Sequence, residues 1–323
     1  MSVNSPSGTW KGNDLALTIL QVFYGVFFVI GILKNASVFY EISRKKRNHK
    51  MTTNQLLMAH LAVVDILILL TLTPSVYYVE VDAKYTSFFA CHVMYPMVLF
   101  YPYLRVFTQV VIAVERRRSI STPLKPRFSK SSIAIMLSLC WLLSAVFTAP
   151  VLWDATFGPL SCGDGRLSRL YRTVFYSIKA ALQFVLPLVF ISVCYIQAGV
   201  VLRRSRIPNT KSNSFNHEAT RLQNIRVCKA FALMVVVFAV CTAPLNVVCL
   251  WVEYGSGRYE AFENQAVYSF IANFPVLFMS FLDPIIYGTC CLRRSLFKKA
   301  WGKLVNWKNK TMSQITCCWT NAP

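Results

Sequence analysis

Four charged residues stand where charge is costly. Asp65, Arg105 and Asp283 interrupt apolar runs over 53–79, 91–114 and 264–288, and Arg116 follows Glu115 just beyond the second of these runs. An uncompensated ion in hydrocarbon costs several kcal/mol, so residues of these types at these places do ion-pair chemistry. Eleven residues separate Arg105 from Arg116. At about 100° per residue that is within about 20° of three full turns, so the two share one helix face, roughly 16 Å apart along its axis. Asp65 and Asp283 are the two carboxylates at a depth comparable with Arg105. Either they pair with it and join three apolar runs, or Arg105 reaches a water-filled cavity or backbone carbonyls. Catalytic and metal chemistry lack comparable footing. His49, His60, His92 and His217 are scattered without an HExxH pattern, and the pairs Cys290-Cys291 and Cys317-Cys318 lack CxxC spacing and a companion histidine. The expectation is a protein that is not an enzyme and holds no cofactor or metal.

The elements that must position these residues follow from composition. The chain has 323 residues, of which 55% are hydrophobic and only 15% charged, whereas soluble domains carry roughly a quarter charged residues. Crossing hydrocarbon takes about 20 mostly apolar residues in helix. Seven stretches qualify: 15–40, 53–79, 91–114, 132–152, 173–202, 227–252 and 264–288. Prolines inside them, among them Pro74, Pro102, Pro187, Pro244 and Pro284, are tolerated where neighbouring helices re-satisfy the backbone. The fold class expected is an all-α membrane protein, a seven-transmembrane-helix bundle over 15–288 after a short amino-terminal segment 1–14. The first apolar run is too long for a cleavable signal core and is expected to stay as an anchor.

A net charge of +21, from 34 Lys and Arg against 13 Asp and Glu, first suggests nucleic acid. Sorted by side, 25 of the basic residues fall on one face of the expected bundle, six on the other and three inside. Eight of the acids lie on or near the sparsely basic face. Such asymmetry is topology: positive charge stays cytoplasmic, which puts the amino terminus outside, the tail inside and excludes a nucleic-acid partner. Within 289–323, the stretch 289–304 sets Leu292, Leu296, Phe297, Ala300, Trp301 and Leu304 against Arg293, Arg294, Lys298, Lys299 and Lys303. That pattern predicts an amphipathic helix on the inner leaflet, with membrane lipids as partners. Cys290, Cys291, Cys317 and Cys318 there are either palmitoylated or plain cytosolic thiols.

Short motifs recur in order, one or two per run. The first run has Asn35, and the second reads His60-Leu61-Ala62-Val63-Val64-Asp65. The third begins at Cys91 and ends in Glu115-Arg116-Arg117, with Pro123-Leu124 following. Trp141 stands in the fourth and Pro187 with Tyr195 in the fifth. Phe238 and Cys241-Thr242-Ala243-Pro244 mark the sixth, and Asp283-Pro284-Ile285-Ile286-Tyr287 the seventh. Across all seven spans this resembles the rhodopsin-like (class A) G-protein-coupled receptors, with their NLAxxD, E/DRY, F…CWxP and N/DPxxY motifs.

The resemblance implies a plasma-membrane receptor that binds an extracellular ligand between spans 3, 5, 6 and 7 and activates a heterotrimeric G protein. It implies a disulfide from Cys91, atop span 3, to Cys162 in the following outer loop; two unpaired thiols are the alternative. It implies that Arg116 pairs with Glu115 at rest and is released when span 6 swings outward, to be met by Tyr195 and Tyr287. Some relatives carry a locking glutamate twenty residues before the span 6 proline; here that position is Asn224. An easier resting-to-active transition is therefore expected. Relatives usually have a small polar residue at the position of Arg105, helping Asp65 hold sodium, so here Arg105 is expected to replace that ion. Thr242 stands where the family usually has tryptophan, which shifts the coupling of pocket to helix motion onto Phe238. Lys34 and His60 also depart from the family pattern and receive no role.

The ligand pocket narrows by elimination. Val98, eighteen residues before Arg116, faces the cavity where amine receptors carry an aspartate, which disfavours an amine. Leu277 occupies the retinal-lysine position of opsins, so no Schiff base forms. Lys179 lies eight residues before Pro187, roughly 12 Å toward the outside; it either snorkels to the interface or meets an anionic ligand group. Asn246 and Asn273 could add hydrogen bonds, and Glu80, Glu253 and Phe270 line the mouth. A short peptide is the favoured ligand, with a carboxylated small molecule or lipid next. Inverted repeats, broken helices and pore-lining polar repeats are missing, which argues against a transporter or channel. A receptor-like fold with weak or no signalling is the runner-up.

Overall fold

The computed structural model describes residues 13–46, 51–81, 93–122, 128–155, 169–204, 214–254 and 265–290. Apart from residues 289 and 290, which end α8, the amphipathic helix expected over 289–304 lies outside them, as do Cys91, Cys162, Cys291, Cys317 and Cys318 and the side chains of Glu253, Phe270, Tyr287 and Cys290. The described residues are helical, with no strand among them: α1 (Asn13–Lys46), α2 (Thr53–Val81), α3 (Tyr95–Ser121), α4 (Lys130–Ala155), α5 (Arg169–Ala180), a π turn over Ala181–Val185, α6 (Leu186–Arg204), α7 (Ser214–Tyr254) and α8 (Gln265–Cys290). Because α5, the π turn and α6 run on without a break, the bundle has seven rods. Six have a stretch long and apolar enough to span a membrane, and in α8 the described apolar part is the shorter Asn273–Ile286.

Two boundaries that bear on the site differ from expectation. α7 begins at Ser214, well before the apolar stretch starting at 227, and α3 runs on to Ser121 instead of ending at 114. Hydropathy sees only the membrane-crossing part of a rod, whereas polar residues extend the same helix beyond it. The π turn has a local cause. Pro187 has no N–H to donate to the carbonyl of Gln183, so the regular ladder fails one turn earlier and the helix widens there.

Between apolar helices in lipid the hydrophobic effect is weak, and close packing takes over. Leu57, Leu61, Ile68, Leu69, Leu104, Ile133 and Leu277 are fully enclosed and interlock α2, α3, α4 and α8. At Gly31 a Cβ would meet Leu69 Cδ1 at 2.8 Å, so any larger residue there would push the buried Leu69 side chain aside. α3 is the axle: 56% of its apolar stretch is buried, against 17% for that of α7. Leu33, Leu142, Ile196 and Val240 point outward with most of their surface open, the inverse of a soluble protein and suited to lipid.

Candidate functional site

The inward face of α3 collects the polar residues. Arg105, Gln109, Ile112, Arg116 and Ile120 recur at three- and four-residue spacing and are all buried. At mid-depth the Arg105 Nη2 donates to Asp283 Oδ2 on α8 at 2.5 Å. Its Nε lies 3.7 Å from Asp65 Oδ1 on α2. The three side chains are at most 4% exposed, so one guanidinium joins three helices inside the bundle. The short contact to Asp283 is a charge-assisted hydrogen bond, and that to Asp65 is a looser ionic contact. Nearby, Asn35 Nδ2 donates to the carbonyls of Gly31 and Ser280, both at 3.0 Å, which fastens α1 to α8 one turn from Asp283.

Further along α3, Glu115 and Arg116 face each other at 3.7 Å (Oε2 to Nε) and are 2% and 8% exposed. Around them Ile120, Ala198 and Leu202, backed by Ile225 and Cys228, pack α3 against α6 and α7. Tyr195 packs beside Ala113, Ile191 and Cys194. It also lines a void of about 10 Å³ with Gln109, Ile112, Ile191, Met234 and Val235.

Between these two levels Phe238 is buried against Val106 and Met279, with Phe184 at a ring-centroid distance of 6.0 Å. Phe184 is carried by the π turn, so the widening before Pro187 supplies part of the aromatic contact of α7. Thr242 sits one turn above Phe238, its hydroxyl 3.9 Å from Met279 Sδ. Pro244 lies inside α7, and Pro284 follows Asp283 in α8.

The expected ligand residues are less converged. Val98 is half-buried against the cluster around Leu104, and Leu277 is fully buried. Lys179 is half-buried, its Nζ 5.6 Å from the Tyr176 ring centroid one turn away. Asn246 is buried and donates to the carbonyl of Thr242 in its own helix at 2.9 Å. Asn273 is half-buried on α8, and Phe270 and Glu253 fall on α8 and α7. The Ser177 and Tyr254 hydroxyls, 2.8 Å apart, join α5 to the carboxyl end of α7.

Two features escaped the sequence. Trp141 Nε1 donates to His60 Nε2 at 2.9 Å. An indole N–H only donates, so His60 Nε2 accepts and its proton is on Nδ1. Nδ1 faces Thr108 Oγ1 at 3.3 Å, and that hydroxyl donates to the Leu104 carbonyl at 2.7 Å. His60 thus relays one polar chain through α4, α2 and α3. Gln109 is the second: it is 8% exposed, and its Nε2 has no hydrogen-bond partner among the described residues. Its spacing of four from Arg105 and seven from Arg116 was the available signal.

The profile of the 7 transmembrane receptor (rhodopsin family) matches residues 34–287. The chain is 26% identical to the RYamide receptor of Tribolium castaneum, over 78% of this chain and 73% of that one. It is 26% identical to Neuropeptide Y receptor type 6 of Oryctolagus cuniculus, over 85% and 78% respectively. It is 25% identical to the Gonadotropin-releasing hormone receptor of Sus scrofa, over 89% and 94%. A family of receptors, not of enzymes, therefore covers every helix that carries the charged column of α3, and the chain belongs to it: it is a multi-pass membrane protein of the seven-transmembrane, rhodopsin-like receptors.

Proposed function

We propose that the chain is a plasma-membrane receptor for a short extracellular peptide and that it signals through a heterotrimeric G protein. What supports the ligand class is that its relatives are named for RYamide, neuropeptide Y, substance P and gonadotropin-releasing hormone, all peptides. Val98 agrees with this, since it offers no carboxylate to an amine. Residues 1–14 lie outside, 15–288 form the receptor body and 289–323 lie on the cytoplasmic side, as the sorting of basic residues requires. Cys91 and Cys162 bridge across the outer mouth, and Cys290, Cys291, Cys317 and Cys318 carry palmitate.

In this scheme the peptide contacts Val98, Lys179, Asn246, Glu253, Phe270 and Asn273 from outside. It binds tighter to the state in which α7 is displaced and so shifts a pre-existing equilibrium. Phe238 transmits the shift because it is wedged between α3, α6 and α8. Arg116 leaves Glu115 and turns to Tyr195 and Tyr287, and the G protein's helix enters the opened cleft. Arg105 fills the place of an internal cation between Asp65 and Asp283. Second-messenger assays of cells expressing the chain, challenged with amidated peptide, amine and lipid libraries, test the proposal. A response to a peptide is expected. A response confined to carboxylated small molecules or lipids would overturn the ligand class. A cell-surface receptor silent to every class would favour the non-signalling alternative, for which the replacement at Thr242 is the specific argument.

A further inference from the structure

Gln109 is the polar residue of the α3 column that the scheme above leaves idle. It faces the joint where α3 meets α6 and α7. With Ile112 of its own helix, Ile191 and Tyr195 of α6, and Met234 and Val235 of α7, it surrounds the void of about 10 Å³. The side chain is buried, and its Nε2 has no hydrogen-bond partner among the described residues. An amide nitrogen brings two N–H donors. Ile112, Ile191 and Val235 offer them no side-chain acceptor, and Met234 only a weak thioether.

The inner half of α7 is held to the bundle in three bands. In the first, Phe238 packs on Val106 and Met279. In the second, one turn further in, Met234 joins the cluster of Ile112, and Val235 packs beside Ala113 and Ile191. In the third, Ile225 and Cys228 pack on Ile120, Ala198 and Leu202. The described members of the first and third bands are apolar, whereas the second contains the Gln109 amide and the void. Of the six apolar stretches that could span a membrane, that of α7 is the least buried, so each band carries a large share of its attachment.

Closed, this joint is weaker than an apolar one, whether wet or dry. A dry amide forfeits the hydrogen bonds that it makes in solvent. A void of this size holds about one water, which would then stand between α3 and α7 in place of apolar contact. Moving the inner half of α7 outward takes Met234 and Val235 away and opens the amide to the cytoplasmic cleft, where water satisfies it. The amide thus favours the open joint over the closed one, and such a difference between two states shifts their populations. We propose that Gln109 is a positioning residue that sets how readily α7 leaves α3. It acts two turns from Arg116 and needs no contact with the Glu115–Arg116 pair. The inference rests on α7 being the helix that is displaced, as proposed above, but not on the ligand or the G protein.

Purified full-length receptor in detergent, without peptide or G protein, is treated with a maleimide, and modification of Cys228 is followed by peptide mass spectrometry. Cys228 is a free thiol, half-buried in the third band and outside the lining of the void. Its rate therefore reports how often α7 stands away from α3 and α6. Gln109→Leu and Gln109→Met remove the amide in a branched and an unbranched shape, and each should slow the reaction about fivefold. Gln109→Asn keeps an amide and should stay within about twofold of the parent. An unchanged or faster rate in the Leu and Met variants would overturn the proposal. So would an Asn variant as slow as they are, because the effect would then be one of side-chain size. No signalling is read, so failure here and failure of the receptor assay are separate results.

Discussion

Two arginine–carboxylate groups sit on one face of α3, and they are opposites in design. At mid-depth Arg105 reaches residues 40 positions back and 178 positions ahead, so its contacts hold α2, α3 and α8 together. At the basic end Arg116 pairs with its chain neighbour Glu115, and that contact holds no two helices together. The first group is a tie between elements. The second is a local clasp that can open without pulling the bundle apart. A switch needs both: a fixed axle, and a charge whose release leaves the axle in place.

Breaking the tie should do the most damage. Arg105→Met leaves two buried carboxylates without their guanidinium, which costs about 3–5 kcal/mol by analogy with other broken buried pairs. Thermal unfolding of purified receptor should show a large fall, with most of it recovered when Asp65→Asn and Asp283→Asn are added. Equal stability of the single variant and the parent would mean that Arg105 is solvated. Opening the clasp should do less. Glu115→Gln costs about 1–2 kcal/mol, since a buried ionic contact at 3.7 Å goes but no helices are untied. Basal second-messenger output should rise with it, and unchanged output would separate the clasp from signalling. Smallest is the residue between the two groups. Gln109→Leu removes an amide whose Nε2 has no partner among the described residues and fills apolar space, a gain of about 1 kcal/mol. A loss of stability would instead reveal a buried partner for that amide.

The tie was partly legible in the sequence, because helical period and the scarcity of mid-depth acids both pointed at Arg105. Which acid takes the direct hydrogen bond was not, since Asp65 and Asp283 stand at similar depth and only packing decides which one the fork meets. The chain from Trp141 through His60 to Thr108 was illegible for a related reason. Its members lie on three helices, and no local pattern says that they touch. Gln109 has the spacing of the inward face, yet one amide in an apolar run carries little signal, and it escaped notice. Lys179 was placed by depth alone, and the Tyr176 ring one turn away gives it a neighbour within its own helix. Asn246 was likewise placed by position alone, which does not show the hydrogen bond of its amide to the Thr242 carbonyl within α7. The rods themselves were legible where they are apolar, and the polar extension of α7 was not.

In the scheme proposed above, Arg105 occupies the place an internal sodium ion would take. Thermal unfolding of the purified receptor in sodium chloride and in potassium chloride at equal ionic strength tests it most directly, with Arg105→Ser as the reference in which the place is vacated. The parent chain should have the same midpoint in both salts, and Arg105→Ser should show a sodium-dependent rise. A parent chain that sodium stabilises selectively would contradict it.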